Sequence, residues 1–309
     1  MPVLTVTLNA AVDKLYTIPG FAVDQVQRPT ETRVYAGGKG INVARVYHTL
    51  GGKVTVTGFS GGATGEYIRA SLAEEGIDAQ LAIIAQGSRT CTAILDPIGR
   101  TETVLNETGP LVTLAECDAL LHRLRELLPG QDAVILSGSL PPGVPLDYYG
   151  RIIRLAQDDF GVKAFLDSSG EALRLGVEAK PFLVKPNVHE LKALSVGGDG
   201  WGGSAQTLRD KYGVTLALVT GGARGAVLAS AEGTWEAVPP AVELLSALGS
   251  GDSLTGGFVW AWEQGLGHAQ ALKLGVAAGA ANATVYGSGF CTRDHILEAA
   301  AQTRVNKIA

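Results

Sequence analysis

The segment Leu248-Gly-Ser-Gly-Asp-Ser-Leu-Thr-Gly-Gly257 sets an acid inside a glycine-rich turn that opens a helical pattern. Glycines let successive backbone N–H groups point into one hollow. The positive end of the following helix adds to that field, so the turn suits an oxyanion or a phosphoryl group in transfer. Asp252 is poorly placed merely to hold phosphate, but well placed to take a proton from a hydroxyl that attacks phosphorus. It also suits a helix N-cap, and spacing alone leaves both roles open. A second turn, Tyr35-Ala-Gly-Gly-Lys-Gly-Ile-Asn-Val-Ala-Arg45, offers Lys39 as a charge for an anionic substrate and Asn42 as donor and acceptor for sugar hydroxyls. In Lys185-Pro-Asn-Val-His-Glu190, Asn187 and Glu190 stand three apart, as a site for hydrated Mg²⁺ or as the halves of a capping box. Thr220-Gly-Gly-Ala-Arg-Gly225 either admits nucleotide phosphates closely or is simply a tight turn. No Walker A pattern occurs, and the formal G-x-G-x-x-G at Gly198, Gly200 and Gly203 follows a helical stretch, so it reads as a loop.

These turns need elements to hold them. Short apolar runs at Val3–Leu8, Asp132–Leu136, Val162–Leu166, Phe182–Val184 and Val214–Val219 read as strands. Helical periods fill Leu114–Leu128, Pro145–Asp159, Ser204–Tyr212 and Gly251–Gln264. Strand, turn, helix, strand is the pattern of a parallel sheet covered on both faces, and ligands collect at the carboxyl ends of such strands. Here those ends offer Ser139, Asp167, Lys185, Asn187 and Thr220. Residues 12–35 and 88–108 differ: they alternate without long helical periods, and Asp96-Pro-Ile-Gly99 is a hairpin turn between two of the runs. They read as two excursions forming a small β lid beside a main domain of residues 1–11, 36–87 and 109–309.

Composition excludes several classes. The 309 residues include 41 glycines, close to double the average share of roughly 7%. The apolar fraction of 46% is that of a folded protein. A net charge of −5 with no dense basic run argues against nucleic acid or a polybasic membrane anchor as partner. The start of the chain lacks a basic n-region, and Gly256–Val285 is interrupted by Glu263, Gln264, His268 and Lys273, so neither reads as a targeting or membrane segment. Three cysteines without metal spacing predict free thiols and a cytoplasmic setting.

Taken in order, Thr7-Leu-Asn-Ala-Ala-Val-Asp13, Gly37-Gly-Lys-Gly-Ile-Asn-Val-Ala44, Gly138-Ser-Leu-Pro-Pro-Gly143, Asp167-Ser-Ser-Gly-Glu-Ala172, Lys185-Pro-Asn-x-x-Glu190 and Gly249-Ser-Gly-Asp252 resemble the ribokinase/PfkB carbohydrate kinases, within them the sugar-phosphate branch. The resemblance spans nearly the whole chain. Ala10 stands where the family carries proline, and Ser250 where alanine is commoner.

The resemblance implies a three-layer αβα domain with a mostly parallel sheet, plus a small β-sheet lid that closes over the sugar. It implies Asp252 as general base, with the backbone of Gly249, Ser250 and Gly251 as anion hole. Asp13, Gly38 and Asn42 would hold sugar hydroxyls, and Arg28, Lys39, Arg89 and Ser139 the phosphate already on the substrate. Lys185, Asn187, Glu190, Thr220, Gly222 and Gly225 would face ATP and its Mg²⁺, with Asn187 and Glu190 holding the ion indirectly and Asn282 near the adenine. The implied reaction is phosphorylation of a ketohexose phosphate, fructose 1-phosphate first, with tagatose 6-phosphate or fructose 6-phosphate as alternatives. A homodimer through the lids is expected, because an exposed face on a small sheet needs covering. A non-catalytic sensor of sugar phosphate or nucleotide is the competing class, but it has no need of the acid at 252. An oxidoreductase of the dinucleotide-binding type needs a glycine-rich turn after the first strand, which Asn9-Ala-Ala-Val-Asp13 does not supply.

Overall fold

Side chains on successive strand residues face opposite ways, so a strand buried on both faces carries apolar residues throughout. The central strands do this. In the computed structural model, which describes residues 2–309, Val3, Ala133, Ile135, Phe165, Leu216 and Leu218 enter one core, while Leu4, Val6, Val134, Leu136, Leu166, Ala217 and Val219 enter a second on the opposite face. Each fully buried Leu, Val or Phe contributes about 1.5–3 kcal/mol relative to exposure.

The chain begins with β1 (Pro2–Thr7), β2 (Ala11–Thr17), β3 (Glu31–Gly37), α1 (Lys39–Thr49), β4 (Lys53–Gly61), α2 (Gly62–Glu74), β5 (Asp78–Ala79), β6 (Ala82–Ile84), β7 (Arg89–Asp96) and β8 (Thr101–Asn106). There follow α3 (Leu114–Leu127), β9 (Ala133–Ser137), α4 (Tyr148–Arg154), β10 (Lys163–Asp167), α5 (Gly170–Val177), β11 (Leu183–Val184), α6 (Glu190–Ala193), α7 (Gly200–Tyr212) and β12 (Leu216–Thr220). The last part holds β13 (Ala226–Ser230), β14 (Gly233–Val238), α8 (Ser250–Glu263), α9 (Gly267–Asn282), α10 (Arg293–Gln302) and β15 (Arg304–Lys307).

The main sheet runs β15-β14-β13-β12-β11-β10-β9-β1-β4-β5, with β6 on β4. Pairing is parallel from β12 to β5 and antiparallel from β12 to β15. The fold is therefore α/β, with a mostly parallel sheet between helical layers. A separate four-stranded sheet, β3-β2-β7-β8, pairs β2 parallel to β7, so two excursions far apart in sequence interlock. Its strands reach Ala11 and Gly37, slightly beyond the alternating stretch at 12–35.

Some boundaries differ from the periodic reading. The helix expected from Pro145 starts at Tyr148, and its last residues, Leu155–Asp159, wind as a π-helical turn. The glycine-rich stretch read as a loop is partly helix: Gly200 and Gly203 lie in the first turn of α7, ahead of the start expected at Ser204. Glycine is a poor helix former, so propensity gave no sign of this turn; packing of Trp201 against Gly221 and its bond to Glu236 overrides it.

Candidate active site

The carboxyl ends of β1, β9, β10, β11 and β12 open into one cleft of about 460 Å³, roofed by the small sheet. At its floor lies the start of α8. Gly249, the N-cap, has φ +75°, which a residue with a Cβ adopts only under strain, and a Cβ there would stand 2.5 Å from that of Ser288. The first N–H groups of a helix have no partner within it. Gly249, Gly251 and Asp252 line the cleft, whereas the Ser250 N–H turns back to the Ala247 carbonyl at 3.3 Å. An anion hole at this turn would draw on residues 249, 251 and 252, and Ser250, expected in it, lies outside the cleft lining.

Asp252 is 6% exposed, and its Oδ2 accepts from the Asn42 Nδ2 at 2.8 Å. Burial pushes its carboxyl above the ordinary range; Lys39 opposes the shift and the neighbouring Asp167 adds to it. That direction suits a proton acceptor working near neutral pH. Asp167, at the end of β10, behaves in the opposite sense. Burial would raise it, but Lys185 at 3.0 Å and Lys39 at 3.7 Å, with hydrogen bonds from Lys185 and Ser137, hold it below its ordinary value. Two buried carboxylates pushed apart in this way suit a fixed anion beside a proton acceptor.

Asn42 lines the cleft, and its amide is already engaged at both ends. It is 5% exposed, with its nitrogen on Asp252 and its oxygen accepting from Arg45 Nη1 at 3.3 Å. The reverse flip would set oxygen against carboxylate and nitrogen against guanidinium. Lys39 stands half-exposed at the mouth, its ammonium held charged chiefly by Asp167. Gly38 caps α1 with φ +114°, where a Cβ would meet the Thr7 methyl at 2.7 Å.

The roof contributes Asp13, Lys14, Arg89, Cys91, Thr92 and Asn106. Arg89 lines the cleft and is anchored there through Nε on Asn9 O and Nη1 on Glu107 O. Ser139, exposed, accepts from the Asn9 amide at 3.1 Å. The roof is tied to the anion loop: Ser246 Oγ donates to Glu102 of β8 at 2.8 Å, and Leu248 packs on Leu15, Tyr35, Ala93 and Leu95.

Burial raises Asp13 to about 6, with Arg89 and then Arg45 pulling it back and Asp252 pushing it up. Because the folded value exceeds the ordinary 3.8, the ionised group costs stability progressively as pH rises from 3.8 through about 6. Function runs the other way. KM for the sugar substrate is expected to rise as pH falls from about 7.5 to about 5.5, and Asp13→Asn to lose that component. Titration of the substrate's own phosphate is common to both enzymes. Steady-state KM against pH for the pair checks this, and parallel profiles would remove the role.

Of the residues expected to face a nucleotide, Lys185, Asn187, Glu190 and Thr220 all line the cleft. Asn187 Oδ1 accepts from the backbone of His189 and Glu190, and Glu190 Oε2 accepts from the Asn187 N–H at 2.8 Å, so the reciprocal cap is formed. Of the two side chains, Glu190 keeps Oε1 outside that cap. Among the described residues no group of three acidic, His or Cys side chains could hold a metal. This donor set fits a water-clad Mg²⁺ carried on nucleotide phosphates rather than a resident ion.

A model of the pfkB family carbohydrate kinases matches residues 4–295. The chain belongs to the pfkB family of carbohydrate kinases. Membership makes it a carbohydrate kinase of the phosphotransferase class, implies ATP as donor, usually with Mg²⁺, and together with the first relative below makes it a sugar-phosphate kinase. The kinase is 38% identical over 279 residues to 1-phosphofructokinase of Rhodobacter capsulatus, covering 89% of this chain and 88% of that protein. Its fold superposes on Escherichia coli phosphofructokinase-2 in complex with substrates and products at a TM-score of 0.92, with 30% identity, 98% of this chain and 99% of that one covered. A possible 1-phosphofructokinase of Thermotoga maritima gives 0.90 with 28% identity and full coverage of both chains.

Not every expected residue meets in the kinase's cleft. Arg28 is exposed on the segment between β2 and β3 and does not line it. Gly222 lies on the exposed turn after β12, and Gly225 is buried against Ala237 of β14; neither is part of the lining. Asn282 is fully buried, with its nitrogen on Leu248 O and Ser250 Oγ and its oxygen accepting from Gly289 N, so its amide holds the anion loop from behind. Sequence reasoning named Asp167 as a strand end and a motif residue without a role, and missed Arg45. A charged residue within the Asn42 motif was the available signal for Arg45. No helix is long and apolar enough to cross a membrane among the described residues, and all three cysteines are free.

Proposed function

We propose that the kinase transfers the γ-phosphoryl group of ATP to the free primary hydroxyl of fructose 1-phosphate, giving fructose 1,6-bisphosphate. The observation that carries this reading is a second set of anion-binding groups in the cleft. Lys185 and the N–H groups of Gly249, Gly251 and Asp252 serve the transferring phosphoryl group. Arg89, on a lid strand, and Ser139, after β9, are not needed for it and suit a phosphate already on the acceptor. The Rhodobacter capsulatus and Thermotoga maritima relatives, both bearing the 1-phosphofructokinase name, support the same order of substrates.

Asp252 takes the proton of the acceptor hydroxyl as its oxygen bonds to the γ-phosphorus; the bond from that phosphorus to the bridging oxygen breaks, and its electron pair leaves on ADP. The anion hole meets charge on the transferring group, and Lys185 and Lys39 neutralise its surroundings. Asn187 and Glu190 would hold the nucleotide's Mg²⁺ indirectly, and the ion would supply charge neutralisation at the phosphate oxygens. The small sheet, acting as a lid, excludes water through its contacts to Ser246 and Leu248.

ADP release measured over fructose 1-phosphate, fructose 6-phosphate, tagatose 6-phosphate, ribose and adenosine tests the reading, with kcat/KM highest for the first. Arg89→Met is expected to raise KM for the phosphorylated sugar about tenfold to a hundredfold, the worth of a charged hydrogen bond. Turnover of unphosphorylated sugars alone would sink the assignment. The outward row Val34, Lys14, Thr92 and Leu105 and the row Thr32, Tyr16, Ile94 and Thr103 follow from the strand register, and Val34 and Leu105 are 40% and 58% exposed. That partly apolar face supports a dimer formed lid to lid, which sedimentation velocity reads directly.

A further inference from the structure

Arg45, in α1, is 4% exposed, and all five of its N–H donors are engaged. Nε and one Nη2 hydrogen go to the two carboxylate oxygens of Glu75, at the end of α2. The other Nη2 hydrogen goes to Ala36 O at 2.8 Å, and Nη1 serves Ser288 O at 2.9 Å and Asn42 Oδ1 at 3.3 Å. The Phe290 ring lies 4.3 Å from the guanidinium carbon. Burying a charge costs several kcal/mol unless its partners are well made, and lysine, with three donors, could not serve these five acceptors. What the guanidinium joins is the base and the anion loop. Its Asn42 arm leads to Asp252, and its Ser288 arm holds the residue against which Gly249 packs.

We propose that Arg45 is a positioning residue for phosphoryl transfer, fixing the Asn42 amide with its nitrogen toward Asp252 and holding Ser288 behind the anion loop. This rests on the reading of Asp252 as the base. Without the guanidinium, the Asn42 oxygen loses its cation and the amide is free to turn. The carboxylate then loses a donor that favours its ionised form. The charges facing Asp252 from the surrounding elements are Lys39 of α1, Asp167 of β10, Lys185 after β11 and Asp13 of β2, and none of them changes.

The test uses purified full-length enzyme. Arg45→Met is expected to lower kcat at least about tenfold, with KM for ATP within about twofold, a loss confined to the transition state. The acid limb of its kcat–pH profile moves to higher pH, and Asn42→Ala moves it the same way. Combining Arg45→Met with Asn42→Ala is expected to cost much less than the product of the two losses, because they act on one contact. Glu75→Gln, at a partly exposed helix end, keeps the fold within reach if Arg45→Met does not fold; it is expected to lower kcat about threefold with the same limb shift. Folded variants with unchanged kcat and acid limb, or fully multiplicative losses, overturn the proposal. Asp252→Asn run alongside separates the two readings. An active Asp252→Asn enzyme removes the base and the proposal with it, whereas an inactive one beside a normal Arg45→Met overturns Arg45 alone.

Discussion

Asp252→Asn lowers kcat by about two to four orders of magnitude, the usual worth of a positioned general base, while KM for both substrates changes little. The amide keeps the shape and an acceptor for the Asn42 Nδ2, but cannot take the hydroxyl proton. Its effect on stability has the opposite sign from most active-site damage. Burial holds the Asp252 carboxyl above its unfolded value, so the ionised form costs stability, increasingly as pH rises through its folded value. Asparagine removes that cost, and the variant is expected to unfold at the same temperature as the parent or higher at neutral pH. Single-turnover kinetics and thermal unfolding at two pH values check both halves. A fully active variant would end the role assigned to this residue.

Gly249→Ala damages the same step by another route and with the other sign in stability. A left-handed backbone costs an alanine about 1–2 kcal/mol. Its Cβ would also meet the Ser288 Cβ at 2.5 Å and Cα at 2.7 Å, and Ser288 cannot retreat while Arg45 holds its carbonyl. The loop must therefore shift, turning the Gly249 and Gly251 N–H groups away from the oxyanion position. Loss of one such donor costs about 10²–10³ in kcat. The expected result is a kcat lower by at least about a hundredfold together with a lower unfolding temperature. Gly251→Ala is the control, because a Cβ there would find only Lys185 Nζ at 3.8 Å. If Gly251→Ala proved the more harmful, steric register at Gly249 would not be what shapes the hole.

The anion loop and the acid at 252 were legible because their chemistry is local. Glycine spacing and a helix start lie within a few residues, and a physical reading of that turn needs no partner from elsewhere. The parallel sheet was legible for a similar reason, since strands buried on both faces are continuous apolar runs. The glycine-rich start of α7 was not, because Trp201 gains its contacts from Gly221, in the turn after β12, and Glu236 of β14.

For the site, the sequence by itself determined which chemical groups are available: an acid beside exposed N–H groups, a basic turn with an amide, and a family pattern joining them. Only the tertiary structure decided how those groups divide the work. Asn42 turned out to serve Asp252, Asn282 the back of the anion loop, and Asp167 the charge of Lys39 and Lys185, while Arg28 stayed outside. The reason is that hydrogen-bond donors and acceptors are satisfied by whatever folding brings within about 3 Å, and desolvation depends on everything packed around a group. Residue type limits what Asn42 and Asp252 can do; the guanidinium of Arg45 and the depth of the cleft select which of those things they do.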